Sequence, residues 1–131
     1  GHSLGAALAT LAATLVRPSG LYTFGSPRVG DEAFVQVADL AQHHRYVGCC
    51  DGICDVPPEP LGYRHCGRAL FIDRHGAIHE GHSGDQVGRE QKAAALEYVL
   101  HLNVLAHVAV RHLADHAPLN YSSAVLGVRE R

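Results

Sequence analysis

The chain opens on an apolar stretch, Gly5-Ala6-Ala7-Leu8-Ala9-Thr10-Leu11-Ala12-Ala13-Thr14-Leu15-Val16, built from good helix formers. Leu8, Leu11 and Leu15 recur at helical spacing, which predicts a buried helix opening at Ser3 with these leucines on one face. Arg17-Pro18-Ser19-Gly20 breaks that helix, and Leu21-Tyr22-Thr23-Phe24, closed by Gly25-Ser26-Pro27, predicts a strand. Asp31 is placed to cap a second helix through about Leu40, and Arg45-Tyr46-Val47-Gly48-Cys49-Cys50 predicts the next strand. Strand, helix, strand in that order implies parallel pairing through a right-handed crossover. The Pro-rich segment from Asp51 to Leu61 reads as an irregular loop at a strand end, where side chains are commonly presented for function. Arg68 to Asp73 and Ala77 to His79 flank Arg74-His75-Gly76 and predict a hairpin or tight return at the sheet edge. From about Gly88 to His107 the pattern turns helical again, with Leu96, Val99, Leu100, Val104 and Val108 on one face. His101, Asn103 and His107 interrupt it, which favours a packed helix over a membrane segment. The expected class is α/β, a mostly parallel sheet flanked by helices.

With 131 residues, 47% hydrophobic and 18% charged, the chain has the balance of one globular domain or part of one. Its net charge of −2 offers no basic field for nucleic acid, and no window approaches the roughly eighteen apolar residues of a membrane span. The sequence contains no methionine, and its first residues already belong to a motif that needs a strand before it. Residues 1–131 are therefore expected to be the C-terminal part of a single domain whose N-terminal part precedes them. Cys49, Cys50, Cys54 and Cys66 fall close together beside His65, but adjacent cysteines point to opposite faces of a strand and do not form the C-x-x-C knuckles of structural zinc sites. Small buried hydrophobes are the expected role, ahead of a disulfide or a metal site. No metal and no cofactor are expected.

Gly1-His2-Ser3-Leu4-Gly5 has the G-x-S-x-G form of a nucleophile elbow, in which glycines let the chain turn sharply from strand to helix and expose a strained serine. The helix that must follow does follow, and its small residues Gly5, Ala6 and Ala7 suit a close helix–strand approach. The helix N-terminus aims amides at the serine, with the Leu4 N–H as the expected oxyanion-hole donor. A serine hydroxyl also needs a base, and the base needs a carboxylate to hold its tautomer and stabilise its cation. In the α/β-hydrolase arrangement the order is serine, acid, histidine, with the acid after a later strand and the histidine in a late loop. Asp51 after its strand and His116 in Asp115-His116-Ala117-Pro118 suit that order, which gives Ser3 as nucleophile, Asp51 as acid and His116 as base.

The elbow Gly1 to Ala9, the run Tyr22-Thr23-Phe24-Gly25-Ser26-Pro27-Arg28-Val29-Gly30 and the Pro-Pro loop together resemble the class 3 lipases, the fungal-lipase-like branch of the α/β-hydrolases. The resemblance runs across nearly the whole chain. It implies a catalytic aspartate at Asp51, followed by Val56-Pro57-Pro58 and Gly62-Tyr63-Arg64-His65-Cys66-Gly67. It also implies a catalytic histidine at His116, with Tyr121 as the aromatic residue a few positions later. Ala6 in place of a glycine, Gly52 in place of a bulky apolar residue and the extra carboxylate of Asp55 depart from the pattern.

Asp55 is a rival acid four residues from Asp51, and Asp73 a more distant one. His65 is the main rival base. His2 is expected to point beneath the elbow, and His75, His79 and His82 to be surface residues. The resemblance implies a triacylglycerol lipase working through an acyl-enzyme, on a glycerolipid or other ester and at a possible lipid–water interface. A soluble carboxylesterase or phospholipase with the same triad, or a catalytically silent lipase-like binding module, are the alternatives. The second oxyanion donor, the lid and much of the acyl groove are expected upstream of the elbow.

Overall fold

The computed structural model describes residues 1–38, 40, 42–81, 89, 92 and 115–128. Apart from positions 89 and 92, the helix expected from about Gly88 to His107 lies outside the described residues, as does His82.

Helix α1 (Leu4–Val16) begins directly after Ser3 and ends where Arg17 turns left-handed and returns its N–H to Ala13 O at 3.1 Å. The face it buries is not the leucine face. Leu8, Leu11 and Leu15 are 56%, 44% and 84% exposed among the described residues, while Ala6, Thr10 and Ala13 are buried. Helix α1 lies close against strand β1 (Leu21–Phe24), and only short side chains fit between two backbones at that approach. Thr10 is accommodated because its hydroxyl donates to Ala6 O one turn back, 2.9 Å away. The close contact falls at Gly1 rather than Gly5. A Cβ on Gly1 would sit 2.3 Å from Gly5 O, whereas one on Gly5 would meet nothing within 4 Å among the described residues.

Helix α2 (Glu32–Val37) starts as expected, with the Asp31 carboxylate accepting from the Phe34 amide at 2.9 Å, but stops three residues before Leu40. Strand β2 (His43–Gly48) begins two residues earlier than expected and also ends two earlier, because Cys49 and Cys50 form a turn closed by Asp51 N–H to Gly48 O at 3.3 Å. Strand β3 (Arg68–Ile72) and strand β4 (Ile78–Glu80) form the expected hairpin. Among the described residues the sheet order is β1-β2-β3-β4, with the first two pairs parallel and the last antiparallel. Residues 1–3 extend it on the other side of β1. His2 bridges Phe24 in parallel, Phe24 N–H donates to Gly1 O at 2.9 Å, and Ser3 N–H donates to Phe24 O at 3.0 Å. The C-terminal ends of three neighbouring parallel segments therefore lie side by side, the usual place for a site in an α/β sheet. Helix α3 (Pro118–Leu126) carries Tyr121 into the interior, and Gly127 ends it in a left-handed cap. No helix among the described residues is long and apolar enough to cross a membrane.

Candidate active site

Ser3 adopts φ 56° and ψ −130°, a left-handed conformation that an L-residue with a side chain enters only at a cost. It is held there by the strand bond to Phe24 O on one side and by α1 on the other. The Ala6 and Ala7 amides turn back to Ser3 O at 2.9 and 3.2 Å. The Leu4 and Gly5 amides precede them in the first turn, where helix geometry provides no intrahelical acceptor. They are the groups available to a negatively charged oxygen near the serine.

Asp51 follows the turn after β2 and is 3% exposed. Its two oxygens are divided between two tasks. Oδ1 accepts from the Ile53 amide at 2.9 Å, capping the short helical turn Gly52–Asp55 and fixing the carboxylate plane. Oδ2 accepts from His116 Nδ1 at 2.8 Å and from the Tyr121 hydroxyl. The Tyr121 oxygen in turn accepts the Gly48 amide at 3.1 Å, so one phenol ties α3 to the end of β2 and to Asp51. Burial above all, then the neighbouring Cys54 and Asp51, raises the Tyr121 phenol above its ordinary value, so it stays a donor.

His116 stands across the end of β1. Its Nδ1–H points at Asp51, which leaves Nε2 as the basic nitrogen. Nε2 is buried and takes no hydrogen bond among the described residues. The Ser3 hydroxyl is therefore not hydrogen-bonded to it. Gly25, at φ +56°, makes room for the pair: a Cβ there would lie 2.7 Å from Asp51 Oδ2 and 3.0 Å from both Nδ1 and Cε1 of His116. His2 lies against His116 rather than simply below the elbow. Its Nε2 donates to the His116 carbonyl at 2.8 Å, and the two rings lie 4.6 Å apart.

The rival residues are occupied elsewhere. Asp55 is 70% exposed at its side chain and pairs with Arg28 at 3.8 Å. Asp73 receives the His75 and Ala77 amides and bonds His79 at 2.8 Å, closing the β3–β4 turn. His65 Nε2 donates to Cys54 O at 2.8 Å, and burial first, then Arg45, pulls its pKa down to about 4. All four cysteines are buried. Cys49 and Cys50 do not point to opposite faces, because they occupy a turn, and their Sγ atoms lie 3.2 Å apart.

Two of these contacts carry no signal in the residue pattern. His2 and Gly25 meet His116 across about ninety or more residues of chain, and a glycine after a strand reads equally well as a simple turn.

The chain is similar to known proteins over part of its length. The family model described as lipase (class 3) matches residues 1–61. The secreted mono- and diacylglycerol lipase 1 of Fusarium solani is 39% identical over 79 residues, covering 56% of this chain and 24% of that protein. The phospholipase A1-II 1 of Oryza sativa subsp. indica is 42% identical over 82 residues, covering 56% and 21%. The chain thus spans about a quarter of the length of these curated relatives. A crystal structure of a mutant form of MDLA from Penicillium cyclopium superposes with a TM-score of 0.56 at 29% identity, covering 68% of this chain and 39% of that one. With parallel strand ends and these likenesses in agreement, the chain has the α/β-hydrolase fold, and its first 61 residues resemble the class 3 lipases.

Proposed function

We propose that the protein is a serine ester hydrolase of glycerolipids, with Ser3 as nucleophile, His116 as general base and Asp51 as the acid that orients it. The observation that carries this reading is the Asp51–His116 bond at 2.8 Å, made by a buried carboxylate to Nδ1, with Nε2 left without a hydrogen bond among the described residues. In the reaction, Ser3 Oγ attacks the ester carbonyl while Nε2 takes its proton, and the Leu4 amide stabilises the oxygen that becomes negative. His116 then gives the proton to the leaving alcohol, and water repeats the sequence to release the acid. Asp51 stays ionised throughout and stabilises the imidazolium.

The relatives' names support the substrate class: mono- and diacylglycerols for one, a phospholipase A1 activity for the other. Triacylglycerol, the substrate expected from the sequence, is one member of that class. Hydrolysis of p-nitrophenyl esters by the intact protein, together with labelling of Ser3 by a fluorophosphonate, tests the chemistry. Ser3→Ala should abolish both, leaving residual catalysis no more than roughly 10³–10⁴-fold above water. Turnover undiminished in Ser3→Ala excludes the mechanism. A panel of tri-, di- and monoacylglycerols and phosphatidylcholine then ranks the substrates.

A further inference from the structure

Two residues before the acid, the chain places a pair of thiols that the reaction does not use. Cys49 and Cys50 are the two central residues of the turn that runs from Gly48 to Asp51, closed by Asp51 N–H to Gly48 O. The turn is anchored at both ends. Cys49 N–H donates to Ile72 O at 2.9 Å, and Gly48 N–H donates to the Tyr121 hydroxyl that also bonds Asp51. The two Sγ atoms are 3.2 Å apart, and the residues are 8% and 9% exposed, packed with Phe71.

From this arrangement we propose that Cys49 and Cys50 form an oxidisable dithiol whose closure into a ring between neighbouring residues displaces Asp51 and switches the site off. The effect on catalysis rests on the function proposed above; the ring closure does not. The oxidant is hydrogen peroxide, small enough for a site this enclosed. One thiolate attacks a peroxide oxygen and breaks the O–O bond, giving a sulfenic acid and hydroxide. The neighbouring thiol then attacks the sulfenic sulfur, forming the S–S bond and releasing water. Two thiols and one peroxide thus become one disulfide and two waters, with two electrons passing from sulfur to oxygen.

The step needs the sulfurs to close from 3.2 Å to about 2.05 Å. Side-chain rotation alone does not achieve this in so small a ring, so the peptide between the cysteines twists with it. That peptide is the middle of the turn, and Asp51 is bonded to its far end. The carboxylate is fixed by three donors, the Ile53 amide, the Tyr121 hydroxyl and His116 Nδ1, so it leaves its alignment when its own backbone rotates. Neighbouring Cα atoms are about 3.8 Å apart, short of the roughly 4.4 Å at which disulfides normally begin, so the ring is strained and readily reduced. A bond of that kind suits a reversible device rather than a permanent staple.

The intact protein is treated with hydrogen peroxide, quenched, and split between mass spectrometry and an ester-hydrolysis assay. The expected result is loss of two hydrogen atoms mapped to the Cys49–Cys50 peptide, with activity down roughly 10²-fold and restored by dithiothreitol. Cys49→Ser and Cys50→Ser should each keep their starting activity through the same treatment, and two independent variants guard against one folding poorly. Gain of oxygen atoms at these residues, a cross-link from either to Cys54 or Cys66, or full activity in protein whose ring is closed would overturn the proposal. Absence of ester hydrolysis in the reduced protein would count against the catalytic reading alone, because closure is read by mass.

Discussion

Tyr121→Phe removes one oxygen atom and leaves the ring that packs against Phe24 and His2 in place, so its effect isolates the phenol's two hydrogen bonds. The first is donated to Oδ2 of Asp51, a carboxylate 3% exposed, and bonds to a charged group are worth about 1.5–3 kcal/mol net. The second is accepted from the Gly48 amide at 3.1 Å, at a position only part-buried. Water can reach that amide in the variant, so its loss belongs at the low end of the about 1–3 kcal/mol charged for an unsatisfied group. Together the change should destabilise the protein by about 2–4 kcal/mol, a large share of the roughly 5–15 kcal/mol typical of a whole domain. Urea unfolding of the intact protein reads this as a lower midpoint at unchanged slope. Because Oδ1 still has the Ile53 amide and Oδ2 still has His116, the relay keeps its geometry, and kcat should fall by less than about tenfold, a barrier change under about 1.4 kcal/mol. A stability change below about 0.5 kcal/mol would refute the account, because it is the size expected of an ordinary surface substitution. Inactivation as severe as that of an acid-deleting variant would equally refute it.

Gly25→Ala should cost about 1–2 kcal/mol for its left-handed backbone. Its new methyl, 2.7 Å from Asp51 Oδ2, should also lower kcat by roughly 10²-fold, measured on p-nitrophenyl esters with folding followed by circular dichroism. Asp51→Asn should reduce kcat by about 10⁴-fold, the scale of the tautomer effect in serine proteases. Asp55→Asn, at an exposed ion pair, should change it by less than about threefold, since such pairs contribute at most about 1 kcal/mol; the reverse ranking would move the acid to Asp55. Stability should fall as pH drops from 6.5 towards 4. His43 and His65 are pulled down to about 4, each by burial first and then by charges including Arg45, so across that window the unfolded chain binds protons that the folded chain refuses. Urea midpoints at pH 7.5 and pH 5 check the sign, and a higher midpoint at pH 5 would contradict it.

Much of the architecture was legible because each element carries its own local signal. Leu21 to Phe24 is bounded by breakers, Asp31 is a capping residue ahead of a helical run, and Arg74-His75-Gly76 reads as a hairpin or tight return. The buried face of α1 was not legible for a physical reason. The helix is apolar all round, so periodicity marks the large residues Leu8, Leu11 and Leu15, while proximity to β1 selects the small ones, Ala6, Thr10 and Ala13. The end of β2 was misjudged because Cys49 and Cys50 are as β-compatible as Val47, and only the hydrogen bonds to Gly48 O and Ile72 O show the turn. At the site, residue order and motif placed Asp51 and His116 on loops that the fold brings into contact. The contribution of Gly25, His2 and the Tyr121 hydroxyl depends on distances between segments remote in sequence, which no local pattern encodes.

The order of parallel segments sets a span that chemistry must cross. Residues 1–3 stand on one side of β1 and β2 on the other, so Ser3 and Asp51 begin two inter-strand steps apart, about 10 Å at the usual spacing. A single imidazole with a hydrogen bond of about 2.8 Å at each end is a bridge of comparable reach once both side chains lean inward. It must pass over the tip of β1, and the residue beneath it there is Gly25, with no side chain to lift it. An acid on the next strand along, where Asp73 follows β3, would start three steps away, about 14 Å, beyond what one ring can connect. The width of the sheet lattice thus limits how far apart the partners of a proton relay can be founded, and the end of β2 is the pier from which Asp51 meets the His116 ring.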